Sequence, residues 1–170
     1  MDCRIQWLNK LPPEELKEEL LKCCGSTSWA GRMTDQRPFA SLDELLSSAD
    51  RVWWSLDTPD WLEAFRSHPK IGEKKALSHV SADAQKWSEQ EQARTSDALP
   101  ETRQALAQLN EAYQQKFGFI YIICAAGKSS DEMLEILAGR MDNALDEELR
   151  VAAAEQAKIT KLRLKKLLEQ

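Results

Sequence analysis

A histidine stands directly before a proline at residues 68 and 69, within the stretch RSHPKIGEKK that runs from Arg66 to Lys75. Proline pushes the residue ahead of it out of the helical region and stiffens the bend, so this pair predicts an imidazole projecting from a rigid corner. Imidazole gives or takes a proton near neutrality at little cost, which suits His68 to general acid or base work. A His-Pro corner also serves as a plain helix terminator, and the residue types alone leave both roles open. His79, in LSHVS, has no such setting.

A second group lies in SEQEQ, Ser88 to Gln92. On a helix Ser88, Glu91 and Gln92 are related by i+3 and i+4, so a hydroxyl, a carboxylate and an amide share a face. That face can read a small polar molecule or be an ordinary solvated surface, and Trp87 beside it points to partial burial. Arg163, in KITKLRLKKLL, lies four residues after Ile159 and four before Leu167, along or beside an apolar stripe. A guanidinium there needs an anionic partner, either a substrate carboxylate or an acidic side chain of the chain itself, or a route to water. In FGFIYIICAAGKSS, Gly118 and Gly127 bracket an apolar run. If the run is buried and irregular, its peptide groups must find partners, and a bound heterocycle or the protein can supply them. The GKSS ending lacks the upstream glycine and strand of a phosphate-binding loop.

These groups are far apart in sequence, so helices must carry them. NKLPPEELKEELLKCCG opens on a proline pair and closes on Gly25, a start-to-stop helix pattern. SLDELLSSADRVWWSL begins with a serine three residues before Glu44, a capping-box spacing. In TPDWLEAFRSH, Thr58 is placed to cap and Pro59 to open a helix that His68-Pro69 ends. SADAQKWSEQEQARTSD and LPETRQALAQLNEAYQQKFG predict two more helices, the latter with a stripe of Leu106, Leu109 and Tyr113 and an end at Gly118. Ser129 or Ser130 can cap a helix from Asp131 to about Met141, and Asn143 marks a break before a long final helix. No segment alternates long enough to promise a sheet, and no repeat or linker divides the 170 residues, so a single all-α domain, a multi-helix bundle over 1–170, is expected.

Composition narrows the function. With 42% hydrophobic and 30% charged residues the chain has the profile of a soluble globular protein. Its net charge of −5, with signs interspersed, offers no basic face for a phosphate backbone and argues against a nucleic-acid partner. The apolar run Phe117 to Ala126 is far shorter than the ~20 residues of a membrane span. Acidic residues precede any apolar leader, and the chain ends KKLLEQ, so a cytoplasmic location is expected. Four cysteines without C-x-x-C spacing and only two histidines argue against a structural metal site and predict free thiols.

In this order the pieces resemble the 2-oxo-4-hydroxy-4-carboxy-5-ureidoimidazoline (OHCU) decarboxylase family. The resemblance covers nearly the whole chain: STSWAGRMTDQRPF, SLDELLSSAD, HPKIG, SEQEQ as the family's S-x-x-E-Q, FGFIYIICAAGKS, EILAGRMDN and KITKLRLKKL. It implies an all-helical fold peculiar to the family, a homodimer, no metal or organic cofactor, and decarboxylation of the small-molecule substrate OHCU to (S)-allantoin, after urate oxidation and hydrolysis of 5-hydroxyisourate. By motif matching it implies that His68 is the catalytic proton donor and Glu91 the second catalytic residue. The same matching puts Pro69, Ser88, Gln92, Arg163 and the segment Ile120, Tyr121, Ile122, Ile123 at substrate-binding positions. The choice of Glu91 over Glu89 rests on the S-x-x-E-Q register. Where many members read F-G-F-P-F, this chain has Ile120 in place of the proline, which bears on the backbone of that segment.

Two other readings remain at this level. A non-catalytic helical module that binds a protein partner would not need His68, Glu91 and Arg163 around one cavity. A decarboxylase or isomerase of another ureido heterocycle would share the pocket but not the substrate.

Overall fold

A computed structural model describes residues 3–72, 80–95 and 98–170, and His79 lies outside them. Among the described residues there are nine α-helices, a short 3-10 turn at Ala93–Thr95 and no strand, as the all-α expectation requires. No helix among them is long and apolar enough to cross a membrane. The chain divides into two compact units, one formed by Met1–Ala64 with Ala157–Gln170 and the other by Phe65–Gln156.

The first unit contains α1 (Cys3–Lys10), α2 (Pro13–Cys23), α3 (Thr27–Asp35), α4 (Leu42–Trp54), most of α5 (Thr58–Phe65) and the later part of α9 (Leu145–Glu169). Ser41 accepts from the Glu44 amide at 3.1 Å, as the capping-box spacing predicts, and the Glu44 carboxylate reaches back to the Ala40 amide, one residue earlier than the motif would have it. In α5 the cap position falls to Asp57, whose carbonyl accepts from Asp60 and Trp61, and Thr58 is already helical. Two helices here have weak local signals. α1 has only eight residues and buries Ile5 and Leu8. α3 contains a mid-helix glycine and two threonines, which disfavour helix. It forms because Ser26 caps it through the Trp29 amide, and because Trp29, Ala30 and Met33 are buried, the Trp29 indole donating to the Ala49 carbonyl of α4 at 3.2 Å. Cys23 and Cys24 are buried free thiols. Burial raises Cys23 well above the usual thiol range, and burial pushes Cys24 up to about 12, so both are held as neutral S–H groups.

The second unit contains α6 (Ala82–Glu91), α7 (Pro100–Phe117), α8 (Ser130–Arg140) and the first part of α9. Ser81 and Ser129 cap α6 and α8, and α7 runs from Pro100 to the left-handed Gly118 at φ +82°, a conformation that a residue with a Cβ rarely adopts. The buried stripe of α7 is Leu106, Asn110, Tyr113 and Phe117, while Leu109 is only half-buried. The α8–α9 break falls where Asn143 predicts it. The Asn143 side chain, however, donates to the Glu148 carboxylate at 2.9 Å, and the first helical carbonyl is that of Ala144.

Candidate active site

His68 follows the last turn of α5, its amide donating to the Phe65 carbonyl at 3.2 Å, and Pro69 behind it is buried. The imidazole is half-buried, and its Nε2 lies 2.6 Å from Oε1 of Gln156 on α9, a side chain with no exposed surface. The turn then passes through Gly72, whose φ of +84° suits glycine and whose amide donates to Oε1 of Gln92 at 2.9 Å. The corner that presents the histidine is thus hydrogen-bonded to the end of the helix that carries the S-x-x-E-Q residues.

Ser88 and Glu91 lie on α6, and Gln92 is its C-cap. Ser88 is 3% exposed, Glu91 and Gln92 are half-buried, and Glu89 is exposed. Trp87 is buried and anchors the helix. Under the same corner α7 contributes Asn110, buried, whose amide nitrogen approaches the Ile71 carbonyl at 3.5 Å.

The run after Gly118 is neither helix nor strand, and Tyr121 through Ala125 are buried with Ile120 half-buried. The protein itself satisfies part of its backbone. The Ile122 carbonyl accepts from Nη1 of Arg140 at 2.7 Å, the Cys124 amide reaches Oε1 of Glu155 at 3.4 Å, and the Cys124 carbonyl accepts from Lys128 at 2.9 Å. Burial raises the Cys124 thiol, the Ala126 amide and Lys128 oppose that shift, and the negative charges of Glu155 and Glu91 add to it.

Arg140 is held in turn. It is 7% exposed, pairs with fully buried Glu148 at 2.5 Å and lies over the Tyr121 ring at 4.8 Å. Tyr113 donates its hydroxyl to the same Glu148 carboxylate, and Tyr121 donates to the Met133 carbonyl at 3.0 Å. Burial opposes the Arg140 charge, but the Glu148 hydrogen bond and the surrounding groups outweigh it and raise the guanidinium pKa further. Burial, with the Glu148 hydrogen bond, raises Tyr113, and burial raises Tyr121.

Arg163 belongs to the first unit. It is 3% exposed, and Nη1 donates to the Lys22 carbonyl in the last turn of α2 at 3.2 Å. Its positive charge opposes the upward shifts of Cys23 and Cys24.

The sequence profile of the OHCU decarboxylase family matches residues 9–165. The chain belongs to the OHCU decarboxylase family. Among its relatives is the uric acid degradation bifunctional protein TTL of Arabidopsis thaliana, 38% identical over 152 residues that make up 89% of this chain and 47% of that protein. The chain thus spans about half the length of that bifunctional relative. The 2-oxo-4-hydroxy-4-carboxy-5-ureidoimidazoline decarboxylase of Haloferax volcanii is 27% identical over 94% of this chain and 93% of its own. A crystal structure of an OHCU decarboxylase in the presence of (S)-allantoin superposes with a TM-score of 0.77 and 37% identity, over 90% of this chain and 99% of that one.

In this member of the OHCU decarboxylase family, the second unit ties the His68 corner to the end of α6 by the Gly72 to Gln92 bond, and neighbouring residues of α9 meet the imidazole (Gln156) and the Cys124 amide (Glu155). Two parts of it are not singled out from the sequence. Gln156, in AAAEQAKITK, and Glu148 lie outside the motifs, and Arg140 stands in EILAGRMDN without its partner. Each gains its role from a partner that the local sequence does not contain.

Proposed function

We propose that this chain is a single catalytic domain that decarboxylates OHCU to (S)-allantoin in urate breakdown, without metal or organic cofactor. The carboxylate leaves as carbon dioxide, and the electron pair of the breaking C–C bond moves into the adjacent ring C=N. The enol so formed takes a proton on the ureido-bearing carbon while its hydroxyl carbon becomes a carbonyl, for a net uptake of one proton. The substrate carries its own electron sink, and the protein's task is to position it and deliver that proton to one face.

His68 is the proton donor in this reading and Glu91 hydrogen-bonds the substrate and assists the transfer. Pro69, Ser88, Gln92 and the segment Ile120, Tyr121, Ile122 and Ile123 line the substrate site, with Arg163 meeting the anionic or carbonyl edge. The observation that carries the proposal is the hydrogen bond from the Gly72 amide to Gln92, which ties the histidine corner to the S-x-x-E-Q helix within a family of decarboxylases. The presence of (S)-allantoin in the related crystal structure supports the product. We place the enzyme in the cytoplasm as a homodimer that engages no nucleic acid. No specific observation favours a non-catalytic binding module.

The test generates OHCU in place from urate and follows its disappearance with optical rotation of the product. Faster loss and optically active allantoin are expected. Racemic allantoin at the spontaneous rate would refute the assignment.

A further inference from the structure

Gln156 lies on α9, 88 residues from His68 in sequence, and its fully buried amide oxygen meets the imidazole Nε2 at 2.6 Å. In this orientation of the side-chain amide its oxygen accepts, and the hydrogen in the contact is the one on the ring nitrogen. In a neutral imidazole one nitrogen carries hydrogen and the other accepts, and the partner at one nitrogen decides which. The neighbour of Gln156 is itself held, since Glu155 accepts from the Cys124 amide at 3.4 Å, so this turn of α9 joins the histidine corner and the 120–124 segment.

We propose that Gln156 is the positioning residue of the reaction: its amide oxygen fixes the plane of the His68 ring and keeps a proton on Nε2. This rests on the reading of His68 as the acid. A neutral acceptor suits the task. It orients the ring as a carboxylate would, but it does not add a negative charge that would hold the imidazolium proton against transfer.

The logic is that of a histidine whose second nitrogen is anchored. Loss of such an outer partner typically costs about 10- to 100-fold, as it does for the anchored histidines of metal sites. Gln156→Met keeps the length and removes the acceptor, whereas Gln156→Glu keeps an acceptor of the same reach.

The experiment is 15N NMR of histidine-labelled protein, in a His79→Ala background so that one imidazole of the two in the chain remains, together with steady-state kinetics. The wild-type ring should show protonated Nε2 and unprotonated Nδ1 at a pH where it is neutral. Gln156→Met should lose that bias, with kcat down about 10- to 100-fold and KM little changed, and Gln156→Glu should retain the Nε2 proton. A wild-type ring protonated on Nδ1 overturns the proposal, and this measurement requires no variant at Gln156 to fold. A Gln156→Met protein with an unchanged 15N pattern, or with unchanged kcat, also overturns it. If the pattern changes but His68→Ala keeps full turnover, the anchoring contact stands and the reading of His68 as the acid falls.

Discussion

Arg140 and Glu148 form a buried ion pair at 2.5 Å, and the same guanidinium holds the carbonyl of Ile122. The pair joins the end of α8 to the start of α9 and supports the irregular segment that follows Gly118. Its carboxylate also accepts from Tyr113 and Asn143, so removing either charge leaves the other buried among groups arranged for it.

Arg140→Met should therefore destabilise the protein by about 3–5 kcal/mol, the usual cost of leaving one member of a buried pair uncompensated. Urea unfolding followed by circular dichroism reads this directly. A loss below about 1 kcal/mol, the size expected of an exposed ion pair, would show that the pair is solvated in solution.

The only two tyrosines, Tyr113 and Tyr121, both have phenols raised by burial. A folded-state pKa above that of the unfolded chain means stability is fully present below the unfolded value of about 10 and falls as pH rises beyond it, because the unfolded chain ionises first. Absorbance near 295 nm should show no phenolate at pH 10–11 while the protein stays folded, then a joint rise with unfolding. Gradual ionisation around pH 10 without unfolding would contradict the burial of both rings.

Arg163→Lys keeps the positive charge and loses the planar fork that donates to the Lys22 carbonyl. In the proposed role it should raise KM several-fold, with a folded protein by circular dichroism. A wild-type KM would remove Arg163 from substrate binding.

Elements whose start and stop are written within a few residues were legible in advance. Ser41 caps where its spacing predicts, Ser129 is the one of two candidate serines that caps α8, and Gly118 ends α7 in the left-handed conformation. α3 was not legible, because Gly31, Thr27 and Thr34 disfavour a helix that burial of Trp29 and Met33 nevertheless forms. The same division holds at the site. The helix end at the His68-Pro69 corner and the helical placement of Ser88 and Glu91 follow from local geometry. Arg140, Glu148 and Gln156 acquire their roles from partners brought close by folding, and a polar residue in a helix gives no local sign of such a partner.

The role of His68 can be measured most directly by comparing wild-type protein with His68→Ala on OHCU formed in place from urate, recording (S)-allantoin by circular dichroism. The variant is expected to fold, with kcat down about 10²- to 10⁴-fold and the remaining allantoin largely racemic from the spontaneous reaction. A variant that makes (S)-allantoin at the wild-type rate would contradict that role.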